Sequence, residues 1–287
     1  MPLHLGARTF DDDAFVVMAV INRTPDSFFD RGQNYAEAVA RDSVAAAIAD
    51  GADIVDIGGV KAGPGAPVDA AEELRRTVGF VQTVRNDHAD IVISVDTWRS
   101  EVGDAVCRVG ADLINDAWGG FDPRLAEVAA EHDAGLVCTH TGGAQPRTRP
   151  HRVAYEDVMA DVVEHTVREA ERAVTLGVRR DAVLLDPGHD FGKNTRHSLE
   201  VTRRLPQLAA KGWPVLVSLS HKDFVGETLD RDVDNRLAGT LAATALSAWL
   251  GARVFRVHDV RQTRDVVDLV ASVRGTRPPS VGRRGQT

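Results

Sequence analysis

Eight short apolar runs recur along the chain, each giving way at its C-terminal end to a polar or charged residue. They are Phe15 to Ile21 (then Asn22), Asp53 to Ile57 (carrying Asp56), and Ile91 to Val95 (then Asp96-Thr97). Leu113-Ile114 leads into Asn115-Asp116, Gly135 to Thr139 into His140, and Ala182 to Leu185 into Asp186. Pro214 to Leu219 leads into Ser220, and Val254 to Val257, carrying Arg256, leads into His258-Asp259. Amphipathic stretches long enough for a helix separate successive runs. A β-α alternation repeated eight times predicts a closed parallel (β/α)8 barrel, the TIM barrel of the α/β class. Val/Ile/Leu-rich runs suit strands covered on both faces. In such barrels the C-terminal strand ends carry the chemistry, and the polar residues sit there.

At 287 residues the chain suffices for one such barrel and is too short for a second sizeable domain. The reading is an N-terminal extension over 1–14, a barrel over 15–274 and a disordered basic tail over 275–287. A formal charge of −8 argues against nucleic acid or an acidic membrane as partner, though not against a small anion bound by a local field. Cys107, on an expected helix, and Cys138, on an expected strand, show no metal or redox spacing and read as structural thiols. Met1 to Asp13 lacks the apolar stretch of a signal peptide, and no run approaches a membrane span, so the expected location is the cytoplasm. Helices are expected over Tyr155 to Leu176 (Met159, Val163, Val167 and Ala170 on one face), Thr195 to Ala210 and Asp234 to Leu250. The loops Ile21 to Tyr35 and Gly58 to Ala66, the second with four glycines, are read as mobile covers over the strand ends.

Asp96, Asn115 and Asp186 come from different strands and can converge. Carboxylate acceptors and an amide suit a flat nitrogen heterocycle, since a carboxylate takes two adjacent N–H groups together. Lys222 can meet a ring carbonyl or nitrogen. Arg256 and His258 alternate onto one side, and with Asn22 they could form an anion and metal-diphosphate site. Plainer readings stand beside these. A strand-end Asp is often structural, Lys222 could be a Schiff-base or a surface lysine, and His140 shows no evident partner.

The segments INRTPDSFFDRG, DIVDIGG, SVDT, LINDAWGG, LLDPGHDFGK, VSLSHK and RVHDV together resemble the dihydropteroate synthase family, in order, from Phe15 to about Arg274. The resemblance implies a generally dimeric barrel that joins p-aminobenzoate to 6-hydroxymethyl-7,8-dihydropterin diphosphate with magnesium, releasing diphosphate. It implies Asp96, Asn115, Asp186 and Lys222 as the pterin pocket, and Asn22, Arg256 and His258 as the diphosphate side, with Asn22 on magnesium. Lys222, Arg256 and His258 would carry catalysis. Pro64, Phe191 and Ser220 would lie toward the second substrate.

The chain departs from that pattern on the second-substrate side. The family reads GGESTRPGA where this chain reads GGVKAGPGA, so Lys61, Ala62 and Gly63 stand in place of Ser, Thr and Arg. Losing a charged transition-state donor commonly costs about 10²–10³ in rate. His221 replaces the Arg of SRK, THTGG replaces MHMRG with Thr141 in place of a methionine, and Arg23 and Arg31 replace small or apolar residues in the first loop. The expectation is a homologue whose activity is very low or lost. Alternatives are a working synthase with an unusual loop and a related transferase using another nucleophile. A pterin-binding methyltransferase is not expected to combine Lys222 with the RVHD strand.

Overall fold

The computed structural model describes residues 1–24, 36–148 and 153–284. A hairpin of β1 (Leu3–Leu5) and β2 (Arg8–Phe10) comes first, followed by β3 (Val16–Asn22), α1 (Glu37–Ala49), β4 (Ile54–Gly58) and α2 (Ala70–Asp87). Then come β5 (Val92–Asp96), α3 (Ser100–Arg108), β6 (Leu113–Asp116), α4 (Leu125–Glu131), β7 (Gly135–Thr139) and α5 (Val158–Leu176). The chain continues through β8 (Val183–Asp186), α6 (Thr195–Arg203), α7 (Pro206–Ala209), β9 (Leu216–Val217), α8 (Asp223–Leu229), α9 (Leu237–Trp249), β10 (Val254–Val257) and α10 (Val260–Arg274). All eight expected runs carry strands.

The eight strands form one parallel sheet in the order β8-β7-β6-β5-β4-β3-β10-β9. The ring closes between β8 and β9 through a single bridge, Leu185 to Val215, and a hydrogen bond from Leu185 N to Pro214 O of 2.9 Å. Alternation along each strand sorts side chains into two cores. Val17, Val55, Ile93, Ile114, Cys138, Leu185, Val217 and Phe255 face the helices. Val16, Met18, Ile54, Val92, Leu113, Val137, Leu184, Leu216 and Val254 fill the lower barrel interior. Two residues further along, the inward series turns polar on every strand but β3, where Val20 precedes Asn22, and that height is the floor of the site.

The N-terminal segment is a structured plug. Leu3, Leu5 and Phe10 are buried against the lower interior residues, closing the barrel's N-terminal end. Gly135 leaves room for the hairpin, because a Cβ there would meet the Leu5 side chain.

Some helices differ from expectation. The single helix expected over Thr195 to Ala210 is two, α6 and α7, divided at Arg204-Leu205. Pro206 has no N–H to continue the ladder and instead occupies the first turn of α7. The helix expected from Asp234 begins at Leu237, after a 3-10 turn over Val233–Asn235. On α5 the buried stripe is Val158, Met159, Val162, Thr166, Ala170 and Ala173, which places Val163 and Val167 on its flank. After Gly275, which caps α10 in the left-handed region, residues 276–284 are exposed and form neither helix nor strand. Both cysteines are unbridged. Among the described residues no helix is long and apolar enough to cross a membrane.

Candidate functional site

The polar ends of the strands surround a cavity of about 520 Å³ at the C-terminal mouth of the barrel. Asn22, Asp96, Asn115, Asp186, Lys222, Arg256 and His258 all line it, as does Phe191. Convergence follows from parity. Each strand-end group lies an even number of residues beyond an inward-facing apolar one, as Asn115 does from Leu113 and Asp186 from Leu184.

Asp56 organises this floor, although the sequence reading gave it no role. It is fully buried on β4 and accepts from Arg256 Nε (2.6 Å), Ser94 Oγ (2.5 Å) and Asn115 Nδ2 (3.2 Å). Arg256 Nη2 also donates to Asp96 Oδ2 at 3.0 Å. Two of the guanidinium's donors therefore face carboxylates, so Arg256 braces the floor and offers an anion only part of its fork. Burial pushes the Asp96 carboxyl up to about 7, with Arg256 opposing and Asp56 adding to the shift. The Asp186 carboxyl is likewise raised by burial, against the pull of Lys222.

Lys222 Nζ donates to the His189 carbonyl at 2.5 Å and stands 4.8 Å from the Phe191 ring centroid. Burial lowers its pKa, opposed by Asp190 and Asp186. His258 Nδ1 takes the Ser220 hydroxyl at 2.9 Å, and the same oxygen accepts His258 N–H at 3.2 Å. Burial, reinforced by Arg256, pushes the His258 imidazole down to about 3. So shifted, the ring is uncharged at physiological pH.

Other expected residues fall elsewhere. Ser220 holds His258 through its hydroxyl and is not among the residues that line the cavity. Pro64 is exposed on the β4–α2 loop and lies off the cavity wall. Lys61, Ala62 and Gly63 do line it. That loop is held at both ends: Arg76 Nη1 donates to Gly59 O (3.0 Å), and Arg147 Nη1 donates to Ala66 O (2.6 Å). His221 also lines the cavity, with its ring nitrogens engaged by Val233 O at 3.1 Å and Asp259 Oδ2 at 2.7 Å. Arg23 is buried with its guanidinium over the Phe80 ring of α2, 4.7 Å from the centroid, and is not an arm of a cover. Arg31 and most of the first loop lie outside the described residues.

His140 has two side-chain partners that the sequence did not reveal. Lys193 Nζ donates to His140 Nδ1 (2.6 Å), and His140 Nε2 meets Asp161 Oδ1 (2.5 Å). Lys193 also donates to the carbonyls of His140, Gly188 and Phe191, tying the β8–α6 loop to the end of β7. Burial lowers the Lys193 amine to about 7. Gly188 and Gly192 permit this apposition: both have positive φ, and a Cβ would strike the carbonyl oxygens of His140 and Thr141 respectively. The loop so held presents Phe191, edge-on to Trp118 with centroids 5.1 Å apart.

The profile of the pterin-binding enzymes matches residues 18–258. The chain belongs to the pterin-binding enzyme family. Within it, a relative named inactive dihydropteroate synthase 2, from Mycobacterium leprae (strain TN), is 56% identical over 285 residues, covering 98% of each chain. A dihydropteroate synthase from Synechocystis is 37% identical, covering 90% of each. The crystal structure of Yersinia pestis dihydropteroate synthase in a sulfonamide complex superposes with a TM-score of 0.90 at 33% identity, covering 96% of this chain and 100% of that one. The chain is thus a dihydropteroate synthase homologue in sequence and in fold.

Proposed function

We propose that this homologue keeps the heterocycle end of the site and has lost condensation with p-aminobenzoate. The contrast between the two ends of one cavity carries the reading. At the floor, Asp96, Asn115, Asp186 and Lys222 converge as an aminopyrimidinone ring requires, with Phe191 as an aromatic wall. At the mouth, Ala62 and Gly63 bring no side-chain donor, and His221 is turned toward Asp259 and Val233. Asp190, Asp223 and Glu227 also line the cavity, and Arg236 is engaged by Asp223 at 3.0 Å. A carboxylate-bearing arylamine meets like charge there, with Lys61 the cation the β4–α2 loop brings to the wall. The inactive name of the Mycobacterium leprae relative supports the same reading.

Asn22, Arg256 and His258 would face the diphosphate. Among the described residues no group of three or more His, Cys, Asp or Glu could hold a metal. The amide oxygen of Asn22, set over Gly58, fits magnesium as a single protein ligand, the others coming from diphosphate and water. When bound, the ion would neutralise the leaving diphosphate. The two unbridged thiols accord with a cytoplasmic setting. A second copy would cover the exposed apolar side chains of α9 and α10.

The test is diphosphate release from 6-hydroxymethyl-7,8-dihydropterin diphosphate with magnesium, with and without p-aminobenzoate. Negligible release from a folded protein that still binds 6-hydroxymethylpterin is expected, with partial recovery in an A62T/G63R variant. Robust aminobenzoate-dependent release would overturn the reading. Release requiring a different amine would favour the related-transferase alternative.

A further inference from the structure

We infer that Thr139 is a ligand-reading residue: its hydroxyl receives a hydrogen of the exocyclic amine on the heterocycle that Asp186 holds. Thr139 ends β7, and in the parallel register it lies directly beside Asp186 on β8. The pair below them, Val137 and Leu184, both point into the barrel, so Thr139 and Asp186 do too. Adjacent strands run about 4.8 Å apart, so a ring in contact with the Asp186 carboxylate passes within reach of the Thr139 hydroxyl.

Thr139 lines the cavity, is 2% exposed, and its Oγ1 has no hydrogen-bond partner among the described residues. It does not bond to Asp186, whose Oδ1 accepts from Gly188 N at 2.7 Å. Buried hydroxyls are ordinarily paired, so an unpartnered one on a cavity wall points to what fills the cavity. The chemistry of the neighbour fixes the group. A carboxylate that grips an amino-imino edge takes one hydrogen of the exocyclic amine and the adjacent ring N–H. The second amino hydrogen points away from that edge and needs an acceptor beside the carboxylate. Thr139, the register partner of Asp186 on β7, is the neighbouring side chain that carries one. The same placement selects against rings that lack the amine, because the hydroxyl is then left buried and unpaired.

The inference rests on the pterin-binding reading above, and one experiment separates the two. Calorimetric affinities would be measured for 6-hydroxymethylpterin and for its analogue lacking the 2-amino group, on the wild type, T139V and T139S. T139V is expected to weaken the amino-bearing ligand by roughly 3–10-fold, the worth of one net hydrogen bond, and to leave the analogue within about twofold. T139S, which keeps the hydroxyl, should bind both ligands as the wild type does. T139A repeats the removal if T139V does not fold. Unchanged pterin affinity in T139V overturns the role of Thr139 while leaving the pterin reading intact, and an equal loss for both ligands overturns it as well. A wild type that binds neither ligand overturns the pterin reading and this inference with it.

Discussion

Arg256 shows how one residue's charge can be redirected by its neighbours. The sequence places a guanidinium beside an expected diphosphate, yet Asp56 and Asp96 take two of its donors. The resulting triad makes the floor sensitive to pH. The Asp96 carboxyl is raised from 3.8 to about 7, so between those values the folded protein holds a proton that the unfolded chain has released. That contribution to stability is fullest at the acid end of the window and is lost as pH rises through about 7. Asp96→Asn removes the titration. The stability of the wild type minus that of the variant should therefore fall between pH 5 and pH 8, read as urea midpoints. A flat difference would mean that Asp96 is ionised throughout. Asp56 was legible only as an oddity, an acid inside the apolar run IVDIG. Its function depends on Arg256, 200 residues away, and no local pattern announces that pairing.

The strands were readable as elements because their runs are apolar on both faces and end abruptly in polar residues. The N-terminal hairpin was not, because two three-residue strands alternate too briefly to register as a pattern. A signal was present: Leu5-Gly6-Ala7-Arg8 is a two-residue turn with Gly6 at positive φ, flanked by LHL and RTF. As a plug, the hairpin should matter to stability well beyond its length. Leu5→Ala is expected to cost about 2–5 kcal/mol by the cavity it opens above Gly135, measured by urea denaturation. A loss of only a few tenths would show that the hairpin is peripheral. The division of α6 from α7 was equally available in the sequence, since Pro206 sits inside the expected helix.

For the molecule as a whole, the apolar surface left uncovered is concentrated on α9 and α10, which pack together. Leu246 and Trp249 on α9 and Leu269 and Val273 on α10 are 58–67% exposed, spaced three and four residues apart on their helices. Large apolar side chains gathered in this way mark an interaction surface. If a second copy covers them, Leu246→Asp with Leu269→Asp should convert a dimer to a monomer in light scattering without altering pterin affinity. A wild type that is already monomeric at micromolar concentration would remove the dimer from the proposal.

The sequence by itself determined the architecture and the ring of candidate groups. A repeated strand-helix period has few closed solutions, and the fold assigns polar strand ends to one face. It also located the departures at Lys61, Ala62, Gly63 and His221. Only the tertiary structure decided how those groups are used. Through-space partners placed Ser220 behind His258, bound Arg256 to Asp56 and Asp96, turned His221 toward Asp259, and set Thr139 beside Asp186. Periodicity is a local property that survives in one dimension, whereas hydrogen-bond partners and local dielectric arise only when strands distant in sequence close into a barrel.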